Sequence, residues 1–143
     1  MRSFHAVTAR LGKLAAMTLV AAGMASAAQA EIRRPIQVQS VCDRPLRIMI
    51  SHADGYRNWH PHGWWVFQPK EGPKSLAVEG RVLTQLEDHE LYFYAESTDG
   101  TFSWEGGTFV NFNGTRYPMR KATTVVERGN LVLILNCNKG TEL

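Results

Sequence analysis

Between Glu31 and Leu143 no stretch sustains an apolar repeat of 3.6 residues; short runs of β-branched and aromatic residues alternate with Gly, Asp, Asn and Pro. Such a pattern points to sheet, because strands bury one face with a period of two and must reverse every few residues. The expected strands are Ile36–Val41, Leu46–Ser51, Trp64–Gln68, Ser75–Val78, Leu91–Ser97, Thr101–Trp104, Thr108–Phe112, Thr123–Glu127 and Leu131–Asn136. Within Arg81–His89, the residues Val82, Leu83 and Leu86 fit either a helical turn or an irregular strand. The expected fold is all-β, a small antiparallel β-sandwich whose C-terminal half is a β-meander.

The turns carry that reading. Asp99-Gly100 separates Leu91–Ser97 from Thr101–Trp104, and Asn113-Gly114 separates Thr108–Phe112 from Thr115–Tyr117. Both dipeptides favour the positive φ angles of tight hairpins. Arg128-Gly129-Asn130 joins the last two strands. Ala53–Gly63 and Pro69–Lys74 read as loops, where binding residues tend to sit.

The first thirty residues read as a removable address. Arg2, Arg10 and Lys13 precede an apolar run from Leu14 to Met24, and Ala28-Gln29-Ala30 has the small-residue ending of a signal-peptide cleavage site. The run is shorter than the roughly 18 to 20 apolar residues of a membrane span. Cleavage is therefore expected after Ala30, leaving residues 31–143 as a single domain that is periplasmic or secreted, with no stable membrane span. All thirteen acidic residues follow Ala30, whereas three of the sixteen Lys and Arg precede it, so the exported part is close to neutral. Its basic residues are dispersed. Nucleic-acid binding depends on clustered cations, so a nucleic-acid partner is not expected.

Export makes the two cysteines informative. Leu131, Leu133, Leu135 and Cys137 share one face of an extended strand, and Cys42 shares parity with Leu46, Ile48 and Ile50 if Pro45 keeps the register. Both sulfurs then point inward, which favours a Cys42–Cys137 disulfide. Two separate buried thiols, or a catalytic cysteine, are the other readings, and no thiolate-stabilising motif accompanies either residue.

The densest set of chemically capable side chains is Tyr56-Arg-Asn-Trp-His-Pro-His-Gly-Trp-Trp65. His60 and His62 could place two imidazoles on one side of an extended segment and hold zinc or copper. A site needs a third or fourth ligand, and His52 and His89 are the only other histidines after Ala30. Trp64 and Trp65 must face opposite ways in a strand, as must Leu91, Phe93 and Ala95 against Tyr92 and Tyr94. Trp59, Trp65, Tyr92, Tyr94 and Trp104 form a candidate platform for stacking a sugar; the alternative is a set of sheet aromatics covered by loops. No Gly-x-Ser-x-Gly elbow, Ser-x-x-Lys pair or phosphate-cradling loop is present. Neither catalysis nor a cofactor is expected.

Val41-Cys42-Asp43, Gly63-Trp64-Trp65 followed by Pro69, Leu91-Tyr-Phe-Tyr-Ala-Glu96 and Trp104-Glu-Gly106 occur in an order that resembles the bacterial family "domain of unknown function 1036". The resemblance covers most of residues 31–143. Asp43 stands where Asn is usual in that family, and Pro69–Lys74 lacks an expected cysteine. It implies a small exported or membrane-associated protein and no particular reaction. The expected function is a non-catalytic binding or envelope-associated module with a protein or glycan partner at the cell envelope. A lectin-like module and a histidine-based metal-binding protein are the alternatives.

Overall fold

Alternation of dry and wet side chains sets the strands. The computed structural model describes residues 30–138 and the backbone of residues 141–142, so the expected leader lies outside the described residues. Among the described residues there are fourteen strands and no helix. In chain order these are β1 (Arg33–Ser40), β2 (Leu46–Gly55), β3 (Asn58–Phe67), β4 (Lys74–Ser75), β5 (Ala77–Val78), β6 (Arg81–Val82) and β7 (Thr84–Leu86). They continue as β8 (Tyr92–Ser97), β9 (Ser103–Trp104), β10 (Thr108–Phe112), β11 (Thr115–Lys121), β12 (Thr124–Glu127), β13 (Asn130–Asn136) and β14 (Thr141–Glu142). The segment Arg81–His89 thus supplies two short strands rather than a helical turn.

One sheet has the order β12-β13-β1-β4, with β14 also on β13 and β7 on β1. The second runs β10-β11-β8-β2-β3, with β9 against β8, and curls until β10 lies beside β3. A separate ribbon pairs β5 with β6. The chain is all-β, as expected, and its pairings are antiparallel with one exception. β1 and β13 run parallel, Ile36 opposite Leu131 and Ser40 opposite Leu135. Parallel neighbours need a long connection, and here nearly the whole domain lies between them.

The core is the space between the two sheets. Ile36 and Val38 of β1 and Leu133 and Leu135 of β13 pack with Leu46, Ile48 and Ile50 of β2 and Phe93 and Ala95 of β8. Phe67, Leu76 and Trp104 belong to the same cluster and are wholly buried. Each such side chain contributes about 1.5 to 3 kcal/mol by leaving water.

Cys42 and Cys137 each lie two residues beyond the Ser40–Leu135 pair, so the parallel strands deliver both to the same place. They form a buried disulfide with Cα atoms 5.0 Å apart. Cys42 inherits its inward direction from Ile36, Val38 and Ser40 on β1.

The expected loop at Ala53–Gly63 is not a loop. It is the distal half of the β2–β3 hairpin, which turns at Tyr56-Arg57. Pro61 fits within this strand because β3 is at the edge of its sheet, where a missing N–H is tolerated. Arg57 has φ of 59°, without the Asn-Gly signature, and the turn is tied by Asn58 Nδ2 donating to Asp54 Oδ1 at 2.8 Å. The expected turns at Asn113-Gly114 and Arg128-Gly129 have both residues at positive φ, the geometry of a two-residue hairpin.

Candidate functional site

Two register shifts in the β2–β3 pairing, between Ile48 and Met49 and between Ala53 and Gly55, bound the most chemically capable surface of the domain. From Leu46 to Ile48, β2 pairs with Phe67 to Trp65; beyond the shift, Met49 pairs with Gly63, Ile50 with His62 and His52 with His60. Trp64 is the bulged residue. A one-residue slip sends alternate side chains to the other face. Without it, Gly63, Pro61 and Trp59 would continue the face that carries Trp65. With it, His62 and His60 join Trp65 on the core-facing side, beside His52. Gly63 is required at the bulge, because a Cβ there would lie 2.6 Å from Met49 Cβ.

Three imidazoles therefore share one end of the core face. The ring centroids of His52 and His62 are 5.2 Å apart, those of His52 and His60 are 6.1 Å apart, and those of His60 and His62 are 6.5 Å apart. His52 is buried, and its Nδ1–H donates to the Thr84 carbonyl at 2.7 Å, which leaves Nε2 as the lone-pair nitrogen. The fully buried Gln85 holds β7 in position for that bond: its Oε1 accepts from Ala53 N at 2.7 Å, and its Nε2 donates to His89 O at 3.0 Å. His60 Nε2 contacts Asp54 Oδ1 at 3.1 Å, which leaves Nδ1 as its other nitrogen.

Burial is the main cause that holds the His52 imidazole below its ordinary pKa, against the opposing Thr84 hydrogen bond and the charge of Asp54. For His62, burial acts first, and the neighbouring His52 and His60 push in the same direction. Both rings favour the neutral form. The histidines open into a cleft of about 410 Å³ whose other walls include Arg33, Arg81, Val82 and Thr84. That size suits a small ligand.

Among the described residues no three His, Cys, Asp or Glu side chains form a group that could hold a metal ion. Of the expected metal pair, His60 and His62 stand together, and the imidazole that joins them is His52, one of the two other histidines. Treating Ala53–Gly63 as a loop hid it. A hairpin centred on Tyr56 would have set His52 opposite His60.

The expected stacking platform divides. Trp104 is wholly buried, so it offers no face to a ligand. Trp65 packs against the core, and its Nε1 donates to Ala77 O at 3.2 Å. Tyr94 lies within the curl of the second sheet, its ring 5.9 Å from Trp64 and 5.5 Å from Tyr117, while Arg47 sits 4.5 Å over Trp64. The Tyr94 hydroxyl donates to Glu96 at 2.9 Å, and burial together with that carboxylate pushes its pKa up to about 12. These rings pack against one another, edge-to-face between Trp64 and each tyrosine and tilted between Tyr94 and Tyr117. Trp59 and Tyr92 share an open hollow of about 260 Å³, lined also by Ser51, Thr108 and Val110. Trp59 Nε1 donates to Glu90 O at 2.9 Å, and the Tyr92 hydroxyl donates to the Glu90 carboxylate. Compared with known proteins, the chain matches no family, no curated protein and no solved structure.

Proposed function

We propose that this chain is a small exported binding module, without catalytic activity of its own, that captures a small ligand in the His52–His60–His62 cleft. The observation that carries the reading is the register of the β2–β3 hairpin, which turns three imidazoles into one ligand-sized concavity. A buried disulfide joining the ends of the domain supports a periplasmic or secreted location. Among the described residues no helix is long and apolar enough to cross a membrane. The resemblance to "domain of unknown function 1036" belongs to the same proposal and agrees with a place in a bacterial envelope.

Binding at the cleft ranks above sugar stacking because four imidazole and carboxylate groups converge there, whereas most of the aromatic faces are used within the protein. Imidazole NMR signals of the oxidised protein, followed during addition of phosphate, citrate and zinc chloride, test the reading. Saturable shifts at His52, His60 and His62, with His89 unmoved, are the expected result. Silence at all three during every addition, together with tryptophan quenching by a glycan panel, would move the site to the Trp59–Tyr92 hollow.

A further inference from the structure

Side chains alternate along a strand, so the register that sends His52 and His60 toward the cleft sends Ser51 and Trp59 to the opposite face of the β2–β3 hairpin. There Ser51 lies between Pro61 on β3 and Tyr92 on β8. The sheet curls until β10 stands beside β3, which brings Thr108 and Val110 to the same hollow. We infer that this Trp59–Tyr92 hollow is a second binding site, separate from the histidine cleft, and that its ligand is a single neutral sugar ring.

Ser51 is the residue that points to a ligand. It is only 2% exposed and lines the hollow, yet its hydroxyl has no hydrogen-bond partner among the described residues. A hydroxyl so placed is open to a partner supplied from outside, and covering it without one costs free energy. The two rings are fixed in advance by one residue. Trp59 Nε1 donates to the Glu90 carbonyl at 2.9 Å, and the Tyr92 hydroxyl donates to the Glu90 carboxylate, which Lys121 also holds. Their polar edges are thus occupied by the protein, the indole keeps 37% of its surface exposed, and little freedom is lost on binding. None of the lining residues carries a formal charge, and the nearby Glu90 carboxylate is paired with Lys121, so a charged ligand finds no counterion. A flat apolar ring would cover the Ser51 hydroxyl and leave it unpaired. A sugar ring supplies both an apolar C–H face for Trp59 and hydroxyls for Ser51 and Thr108. The volume of about 260 Å³ lies below the roughly 300 to 1,000 Å³ of pockets for larger ligands, which limits the occupant to one ring.

The test is titration of the oxidised full chain with the methyl glycosides of glucose, mannose, galactose and N-acetylglucosamine, followed by proton NMR. At least one is expected to shift the Trp59 indole N–H saturably. The His89 ring, 5.5 Å from that of Trp59, should move with it, while His52, His60 and His62 stay still. Trp59→Ala should weaken binding at least about 10-fold, as for other central aromatic anchors. Ser51→Ala should weaken it about 2- to 10-fold, the worth of one hydrogen bond, without lowering the melting temperature. A merely structural hydroxyl would do the reverse. Val126→Ala, exposed on the other sheet, should leave affinity unchanged. The spectra of the unaltered protein do not depend on any variant folding. No saturable response to any of the four glycosides overturns the inference, as does a response that both Trp59→Ala and Ser51→Ala leave intact. Shifts at His52, His60 and His62 with Trp59 unmoved would assign the sugar to the cleft and overturn it too. The response of those three imidazoles to phosphate or citrate is read separately, so either site can fail alone.

Discussion

Gly63→Ala strikes the bulge that orients the histidines. Its Cβ would lie 2.6 Å from Met49 Cβ, 3.1 Å from Met49 Cα and 3.5 Å from the Ile48 carbonyl oxygen. Ordinary carbon contacts lie at about 3.5 to 4.0 Å, so β3 must move about 1 Å away from β2. Neither obstructing carbon is the far end of a flexible side chain, and Met49 is wholly buried in a central strand. Overpacking of this kind costs about 1 to 3 kcal/mol. In a small domain each kcal/mol corresponds to about 4 to 8 °C in melting temperature, so a drop of about 4 to 24 °C is expected. Gly107→Ala is the control: nothing lies within 4 Å of a Cβ there, and its φ is not in the left-handed region. That variant should stay within about 0.5 kcal/mol of the unaltered protein. Calorimetric melting of both variants, with imidazole spectra, reads the result. Gly63→Ala should also displace the His60 and His62 signals more than that of His89. A variant as stable as Gly107→Ala, with unchanged histidine signals, would refute the bulge as the device that fixes the register.

Reduction of Cys42–Cys137, or the paired Cys→Ser variant, should cost about 4 to 5 kcal/mol by loop entropy, read from urea unfolding with and without reductant; identical midpoints would contradict it. Trp104→Ala should lose about 3 to 5 kcal/mol, as for a wholly buried large aromatic, while Trp59→Ala should lose clearly less. Raising the pH tests Tyr94. The folded protein holds its proton to about 12, whereas the unfolded chain releases it near the ordinary value of 10.0, so stability contributed by this group is intact below 10 and falls as pH rises toward 12. Tyrosinate absorbance should therefore show a late-ionising ring that Glu96→Gln brings to lower pH; no late component would refute the assignment.

Strand positions were legible because period-two alternation and Gly-containing turns are local signals. Leu91–Ser97 and Leu131–Asn136 are the plainest cases, and the inward sulfurs followed from the same parity. The parallel pairing of β1 with β13 was not legible, since it joins segments separated by nearly the whole domain. The site was hidden by two local features that mislead. Pro61 reads as a loop residue until β3 is known to be an edge, and Tyr56-Arg57 lacks the usual residues of a tight turn. The bulge at Trp64 is the least visible of all. It is a close fit between Gly63 and Met49, and that fit exists only once the strands are paired.

Proton–proton NOEs across the β2–β3 hairpin of the oxidised protein would decide the register. Cross-peaks should connect the His52 ring with those of both His60 and His62, and the backbone of Met49 should face Gly63 with Trp64 left over. A continuous ladder that instead set His52 opposite Pro61 and Ser51 opposite His62 would turn the histidines to the other face and remove the site.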